Sequence, residues 1–281
     1  MTALQDRIRA VLPGRDSRWY AGLAPVLAMR EWAQLALSGI NPESYGSARI
    51  LRGDSSAPRP GSVMSGAAFG RPVPLERFDT LMLARYGAIG LREPKPTVDA
   101  NHFQTELAQA MRLIDVVPAA GEAVRSLVWS ITPVGVESRD YDTGYSDPAL
   151  PFSIFIGAHA VSDQVPSIRL AEGVLHETMH LQLSLIEDSV PLVGGSGESR
   201  YSPWQKRERP TQGLLHGIYV FRVVQDWLRV IAAGPIMAGV DLAHAQLRIS
   251  QIDEECAELI DFAASDDLTP EGRILAAALV D

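Results

Sequence analysis

The stretch Leu175-His176-Glu177-Thr178-Met179-His180-Leu181 is the most informative part of the chain for predicting the fold and the functional site. Its two histidines stand four residues apart, so on an α-helix they lie on one face, about one turn from each other. That spacing would let two imidazole nitrogens reach a divalent metal at about 2 Å each. Glu177 would project beside the ion, close enough to hold a bound water or a neighbouring ligand. The stretch is an H-E-x-x-H motif and predicts a helix that carries a metal site.

The sequence around the motif favours a long amphipathic helix. Pro166-Ser167 supplies a candidate N-cap, and Pro191 with Gly194-Gly195 ends the pattern. Both histidines then lie well inside the helix, as metal binding requires. The alternative is that they are ordinary polar positions beside a core stripe, which is costly without partners. The apolar positions of the helix are Leu170, Val174, Leu175, Met179, Leu183 and Ile186.

Composition narrows the class of protein. The 281 residues are enough for one large or two small domains, and 46% hydrophobic residues are typical of a globular chain. The net charge of −9 argues against nucleic-acid binding, which needs a basic surface. No run of 18 apolar residues predicts a membrane span, and the N-terminus lacks the pattern of a signal peptide. The single cysteine, Cys256, cannot form an intrachain disulfide. We therefore expect a cytoplasmic protein with no nucleic-acid or membrane partner.

The first hundred residues are mixed in character. Residues 16–37 and 75–89 predict helices, and residues 41–76 are rich in Gly, Pro and Ser and predict a long loop. We place a boundary near residue 100, giving an N-terminal region 1–100 and a metal-binding domain 101–281. The two can also form one continuous domain.

The second half predicts a helical core with a small sheet. Apolar residues recur at helical spacing from Phe103 to Ile114. The fold class is therefore α+β, mainly α, with about three strands beside the helix that carries the H-E-x-x-H motif. A strand shortly before that helix could hold an extended peptide at the sheet edge, or could simply cover the helices. The predicted strands are residues 126–131, 134–136 and 152–156, and further helices are predicted at 212–231, 241–262 and 270–279.

A third metal ligand is expected, because two histidines leave a divalent ion under-coordinated. His216 is the leading candidate, since it heads a helical stripe formed with Val220, Val223 and Trp227. A core histidine that hydrogen bonds to the protein is the alternative. The glycines on either side of it would permit close approach of another helix. Three carboxylates are weaker candidates: Glu187 lies about 10 Å beyond His180 along the helix, and Glu198 and Glu208 fall in predicted loops.

A cationic segment precedes the His216 helix. Residues 200–210 contain four Lys or Arg side chains, together with Trp204 and two prolines. A guanidinium held near a metal suits a ligand that carries a carboxylate. Arg209 is closest in sequence to the His216 helix, so we select it for that role. The alternative is a solvated surface loop.

These pieces together resemble a known family, the HEXXH motif-containing peptide-modification proteins that mature ribosomally made peptides. The resemblance covers about residues 145–230. It implies an iron(II)- and 2-oxoglutarate-dependent enzyme that β-hydroxylates a residue of a precursor peptide. The shared marks are Ser146-Asp147-Pro148-x-Leu150-Pro151, Arg169-Leu170-Ala171-Glu172 before His176-Glu177-x-x-His180, Tyr201-Ser202-Pro203-Trp204, Arg209-Pro210 and Gly213-x-Leu215-His216-Gly217-x-Tyr219.

The resemblance also implies roles for individual residues. His176, His180 and His216 would bind iron, Arg209 would pair with the distal carboxylate of 2-oxoglutarate, and Tyr201 would assist it. The chain departs from the expected pattern after Trp204, where Gln205 stands in place of an arginine.

Three chemistries compete. An iron(II) oxygenase would keep open positions for 2-oxoglutarate and O₂, with Glu177 orienting a ligand or water. A zinc peptidase would use Glu177 as the general base on a zinc-bound water. A non-catalytic metal could instead join helices in a peptide-binding protein. The cationic segment favours the oxygenase, and the metzincin pattern of a third histidine at short spacing is missing.

Overall fold

The computed structural model shows a mainly helical α+β protein with a small sheet, which confirms the predicted fold class. None of the helices in the part of the chain that it describes is long and apolar enough to cross a membrane. The described residues are 2–14, 18–41, 45–46, 62–64, 66–137, 143–160, 167–195 and 197–280.

The helices predicted from the apolar pattern match the observed ones closely in the C-terminal half of the chain. In the N-terminal half the observed bounds differ more from the predicted ones. Their bounds are α1 Ala3–Val11, α2 Leu23–Leu37, α3 Gly66–Phe69, α4 Thr80–Tyr86, α5 Ala100–Ile114, α6 Pro118–Leu127, α7 Ser167–Glu187, α8 Thr211–Ala233, α9 Gly239–Ala257 and α10 Pro270–Val280. Short 3₁₀ turns follow α4 at Gly87–Ile89 and precede α10 at Phe262–Ala264.

The strands form one sheet and one separate hairpin. The sheet runs in the order β1-β2-β3-β5-β4, with β2, β3 and β5 parallel and the two outer strands antiparallel to their neighbours. The hairpin pairs β6 with β7. The bounds are β1 Ser62–Met64, β2 Val73–Leu75, β3 Ser130–Gly135, β4 Gly144–Tyr145, β5 Ser153–Ala158, β6 Ser199–Ser202 and β7 Arg207–Pro210.

Both faces of the sheet are covered, as a parallel sheet requires. Side chains alternate along β5, so Ile154 and Ile156 enter the main helical core while Phe155 packs on the opposite face with Val134 and Met82 of α4. Every residue of β5 is buried. Strand β5, which lies between β3 and the edge strand β4, is therefore packed on one face by the main helical core and on the other by α4.

Helix α7 lies at the centre of the molecule. It packs against α5, α6, α8 and strand β5, and more than half of its residues are buried. Its predicted apolar positions Val174, Leu175, Met179, Leu183 and Ile186 are fully buried, while Leu170 near the start of the helix is only partly buried. The H-E-x-x-H residues are thus fixed on a helix that the whole core supports.

Several boundaries differ from those predicted. Residues 118–127 form α6, so the strand predicted at 126–131 is wrong for residues 126–129, and only its last two residues belong to β3. Ala119, Ala120 and Ala123 favour a helix over a strand here, and Pro118 is well tolerated at the first helical turn. The loop predicted for residues 41–76 contains β1, α3 and β2, and the rest of it lies mainly outside the described residues. Helix α2 begins at Leu23 and not at residue 16 as predicted, and residues 16–17 of the predicted helix are also outside the described residues.

The N-terminal residues pack into the same core as the later ones. The Arg18 guanidinium pairs with Asp226 of α8 at 2.7 Å, and Trp32 stacks on Phe152 with ring centroids 4.3 Å apart. Strand β2 pairs directly with β3. These contacts cross the boundary near residue 100, which stays a prediction.

Candidate metal centre

His176 and His180 converge from one face of α7, as their spacing predicts. Their Nε2 atoms are 3.2 Å apart and the two ring planes meet at 70°. Two imidazoles that each bind one ion at about 2.0–2.1 Å hold their nitrogens at a similar separation. Both side chains are half-buried, so they reach the surface of the core without being sealed inside it. The pair therefore fits as two ligands of one divalent ion.

His216 joins this cluster from α8, but on the other side of the His180 ring. Its Nδ1 atom is 3.1 Å from Nδ1 of His180, and the two ring planes are within 14° of each other. His180 thus faces His176 with one nitrogen and His216 with the other. Among the described residues, no group of three or more His, Cys, Asp or Glu side chains is arranged to hold a metal ion. The three imidazoles lie next to one another, as the sequence predicts, but the structure does not place them around one point.

Glu187 is a functional candidate that the sequence reasoning set aside. It is the last residue of α7, and its Oε2 atom lies 2.9 Å from Nε2 of His216. Gln212 donates a second hydrogen bond to the same oxygen at 3.1 Å. The packing of α8 against α7 brings His216 within reach of Glu187, and nothing local in the sequence shows that.

Burial keeps the two α7 imidazoles neutral. Loss of solvation and, to a smaller extent, the Arg248 guanidinium together lower the pKa of His176 to about 4. The pKa of His180 falls well below its usual value, mainly through burial and then through His176, His216 and Arg209. A neutral imidazole is the form that binds a metal. The environment of both rings therefore suits ligation.

Glu177 points away from the exposed side of α7 and towards the sheet. Only 4% of its surface is exposed, and its Oε2 atom accepts a hydrogen bond of 2.9 Å from the Ser146 hydroxyl. Burial raises its pKa to about 8, while the bond from Ser146 acts in the opposite direction. Its carboxylate also packs directly on Gly144 of the edge strand β4. Ser146, which precedes β5, is thus tied to the H-E-x-x-H helix.

Gly144→Ala is expected to destabilise the fold by about 1–3 kcal/mol, the usual cost of overpacking. A Cβ atom at this position would overlap Oε1 of Glu177, and the buried carboxylate has little room to withdraw. Urea denaturation of the variant measures the change in the free energy of unfolding.

Gly173→Ala is the matched control for Gly144→Ala. It makes the same substitution within α7, where no neighbouring atom lies within 4 Å of the added Cβ. Because alanine favours a helix over glycine, we expect it to stabilise the protein by up to about 1 kcal/mol. Equal effects at the two positions would contradict the close packing of Glu177 on β4.

Arg209 lies beside the histidine cluster, as the sequence led us to expect. Its guanidinium rests against Gly213 of α8, where a Cβ atom would come within 2.9 Å of Nε and Nη2. Gly213 and His216 share a face of α8, being three residues apart. The half-buried Arg209 guanidinium forms no hydrogen bond or ion pair with any described residue, and burial lowers its pKa. A desolvated cation without a partner is a candidate anion-binding group.

The two glycines of α8 receive side chains of the hairpin segment and not another helix. Gly213 accommodates Arg209, and a Cβ atom at Gly217 would overlap the indole of Trp204. We expected these positions to allow close helix contact, and that expectation is wrong. The cationic segment at residues 200–210, for which a solvated surface loop is the alternative, forms most of the β6–β7 hairpin, and its Trp204 and Arg209 side chains fill both gaps.

Tyr201 lies on the opposite face of the hairpin from Arg209. Arg200 pairs with Arg209 and Tyr201 with Glu208 across the two strands, and neighbouring residues of a strand project to opposite sides. Tyr201 is 48% exposed. The structure therefore does not bring Tyr201 together with Arg209.

An aromatic wall flanks the cluster on the side of His176. The Phe221 ring lies between His176 and Trp204, with centroid distances of 5.1 and 5.2 Å. Arg248 of α9 lies over Phe221 at 5.5 Å. Glu172 approaches the Arg248 guanidinium, with its Oε2 atom 3.5 Å from Nε. This second arginine is thus already balanced by a carboxylate, in contrast to Arg209.

Neither the models of known protein families nor the curated proteins include a match to this chain. The family resemblance of residues 145–230 therefore stays a prediction.

Proposed function

We propose that the protein is a metal-dependent peptide-modifying enzyme, an iron(II)- and 2-oxoglutarate-dependent hydroxylase of a precursor peptide. The observation that carries this proposal is the half-buried Arg209 guanidinium, which lacks a partner among the described residues and lies beside two converging imidazoles. Imidazole nitrogens are suitable ligands for iron(II). An arginine offers two parallel hydrogen bonds to a carboxylate, which 2-oxoglutarate provides at the end remote from its keto acid.

His176 and His180 would hold the iron through Nε2. Bound iron would supply the oxidative chemistry that amino-acid side chains lack. The roles of the protein are to hold the cosubstrate carboxylate at Arg209 and to fix the helix that carries the ligands. Glu177 contributes to the second task, because its carboxylate joins α7 to Ser146 and to β4.

The overall reaction balances without a further reductant. One oxygen atom of O₂ enters a C–H bond of the peptide as a hydroxyl group, and the other becomes part of succinate. The 2-oxoglutarate loses CO₂ and supplies the two electrons that the peptide oxidation does not. One peptide, one O₂ and one 2-oxoglutarate thus give one hydroxylated peptide, one succinate and one CO₂.

The position of β4 supports a peptide as the substrate. This strand is the last in the order of the sheet, and Glu177 of the H-E-x-x-H helix packs against it. An extended peptide that adds to a sheet edge forms main-chain hydrogen bonds with it. A peptide bound along β4 would pass beside α7, the helix that carries the proposed metal ligands.

The test is a mass measurement on a candidate precursor peptide. The full chain is purified without oxygen and incubated with iron(II), 2-oxoglutarate and O₂, together with a peptide encoded by a short reading frame beside the gene. We expect the peptide to gain the mass of one oxygen atom and succinate to form in equal amount. Omitting 2-oxoglutarate should stop both.

Two outcomes would overturn this proposal. Cleavage of the peptide with zinc alone would identify a zinc peptidase, with Glu177 as its base. Tight metal binding with neither oxidation nor cleavage of any such peptide would indicate a metal that only joins helices.

A further inference from the structure

We propose that His216 and Glu187 form a hydrogen-bonded relay that orients His180 and fixes its tautomer. Both are then positioning residues for the two proposed metal ligands His176 and His180, which we call the metal pair. His216 is not the third ligand that its sequence context suggested. The proposal rests on the proposed function in one respect, since it requires a cation at His176 and His180.

The two nitrogens of His180 have different tasks. A neutral imidazole carries one N–H group and one lone pair. If Nε2 of His180 binds the metal together with Nε2 of His176, 3.2 Å away, its hydrogen must be on Nδ1. That Nδ1–H then points at Nδ1 of His216, 3.1 Å away. His180 therefore donates a hydrogen bond to His216.

The same logic fixes His216. Its Nδ1 atom accepts from His180 and carries no hydrogen, so its own hydrogen is on Nε2. That group lies 2.9 Å from the Oε2 atom of Glu187, a carboxylate oxygen that can only accept. One assignment of hydrogens thus satisfies every contact from Glu187 to the metal pair. Metal-binding histidines commonly donate their second nitrogen in this way.

The ring geometry distinguishes the two contacts of His180. The His176 and His180 rings meet at 70°, and their Nε2 atoms are 3.2 Å apart. His180 and His216 are nearly parallel, and their centroids are 5.4 Å apart while the Nδ1 atoms are only 3.1 Å apart. Both Nδ1 atoms therefore lie between the ring centres, as in an N–H···N hydrogen bond. A single ion cannot use both nitrogens of His180, so one of the three imidazoles must lie outside its coordination shell.

The relay is anchored by side chains that fix α7 against α8. Gln212, one turn before His216, donates to Glu187 at 3.1 Å and holds the carboxylate in place. Deeper in the core, Gln182 of α7 donates to the Tyr219 hydroxyl of α8 at 2.7 Å. Both residues of this second contact are fully buried. The distance between the two helices is thus set independently of the metal.

The first test measures cobalt(II) affinity of the full chain by competition with a chelator. Glu187→Ala and His216→Ala should each weaken binding by about 10- to 100-fold, the usual effect of losing an orienting partner. Glu187→Gln should remain close to wild type, because its amide oxygen can still accept from His216. Glu106→Ala is the matched control: Glu106 is paired with His102 on α5 at 3.5 Å, and its loss should leave the affinity unchanged.

The second test counts the imidazoles bound to cobalt by X-ray absorption. We expect two in the wild type and still two in His216→Ala, whose melting temperature is measured in parallel. A third imidazole that disappears in His216→Ala would make His216 a ligand and overturn the relay. Unchanged affinity in Glu187→Ala would also overturn it. A wild-type protein without cobalt or iron affinity would instead reject the proposed metal site, and the relay with it.

If the alanine variants fail to fold, nitrogen NMR of the wild-type histidines loaded with zinc decides the matter. The relay requires hydrogen on Nδ1 of His180 and on Nε2 of His216. The opposite tautomer at either ring would overturn the proposal.

Discussion

Replacing His176 by alanine is expected to abolish metal binding, with a loss in affinity above the roughly 100-fold limit for indirect partners. The reason is geometric, because the site shown by the structure has two converging Nε2 atoms and the variant keeps only one. Fold stability should change little in the absence of metal, since the side chain is half-buried and not part of the apolar core. Equilibrium dialysis with iron(II) or cobalt(II) measures the loss directly.

Thermal unfolding gives an independent measurement of the same loss. A metal at about 100 times its dissociation constant should stabilise the wild type by roughly 2.7 kcal/mol, and thus raise its melting temperature by several degrees. His176→Ala should show no such rise. His102→Ala is a suitable control, because His102 lies on α5 and pairs with Glu106. A rise in His176→Ala equal to that of the wild type would exclude the pair as the metal site.

Replacing Arg209 by alanine is expected to raise the 2-oxoglutarate concentration needed for half-maximal turnover by about 10- to 100-fold. Hydrogen bonds to a charged group contribute about 1.5–3 kcal/mol each, and the Arg209 guanidinium has no described partner that competes with the cosubstrate. Arg209→Lys should recover only part of the loss, since an ammonium group cannot make two parallel bonds to a carboxylate. The initial rate of succinate formation at varied 2-oxoglutarate measures the change.

Gly213→Ala tests the same contact while leaving Arg209 in the chain. The added Cβ would displace the guanidinium from its place against α8, so this variant should also need more 2-oxoglutarate. Arg77→Ala is the control for loss of an arginine, because its 83% exposed side chain pairs with Glu93 on the surface. An unchanged requirement in Arg209→Ala would move the role elsewhere, and Arg248, whose charge acts on His176, would be the next candidate.

The residues around the metal pair show how far periodicity can predict a site. The i, i+4 spacing placed His176 and His180 on one face, and the structure confirms that their Nε2 atoms meet. The stripe after His216 correctly predicted a buried face formed by Val220, Val223 and Trp227. These features depend only on the helical repeat, which acts over a few residues.

The hairpin shows where such reasoning fails. Its segment is polar and short, and the pairing of Arg200 with Arg209 contradicts the ordinary preference for opposite charges across strands. Packing of Trp204 on Gly217 and of Arg209 on Gly213 holds it in place, and both glycines lie in a different element. Long-range packing of this kind overrides local propensity.

The sequence by itself determined the helix, the two imidazoles on one of its faces and the position of Arg209 shortly before His216, because each follows from local spacing along the chain. Only the tertiary structure decided that His180 faces His176 with one nitrogen and His216 with the other, and that Glu187 supports the latter. The physical reason is that ring orientation follows from how α7 packs on α8. That packing depends on buried contacts spread over the whole core, which no short stretch of sequence specifies.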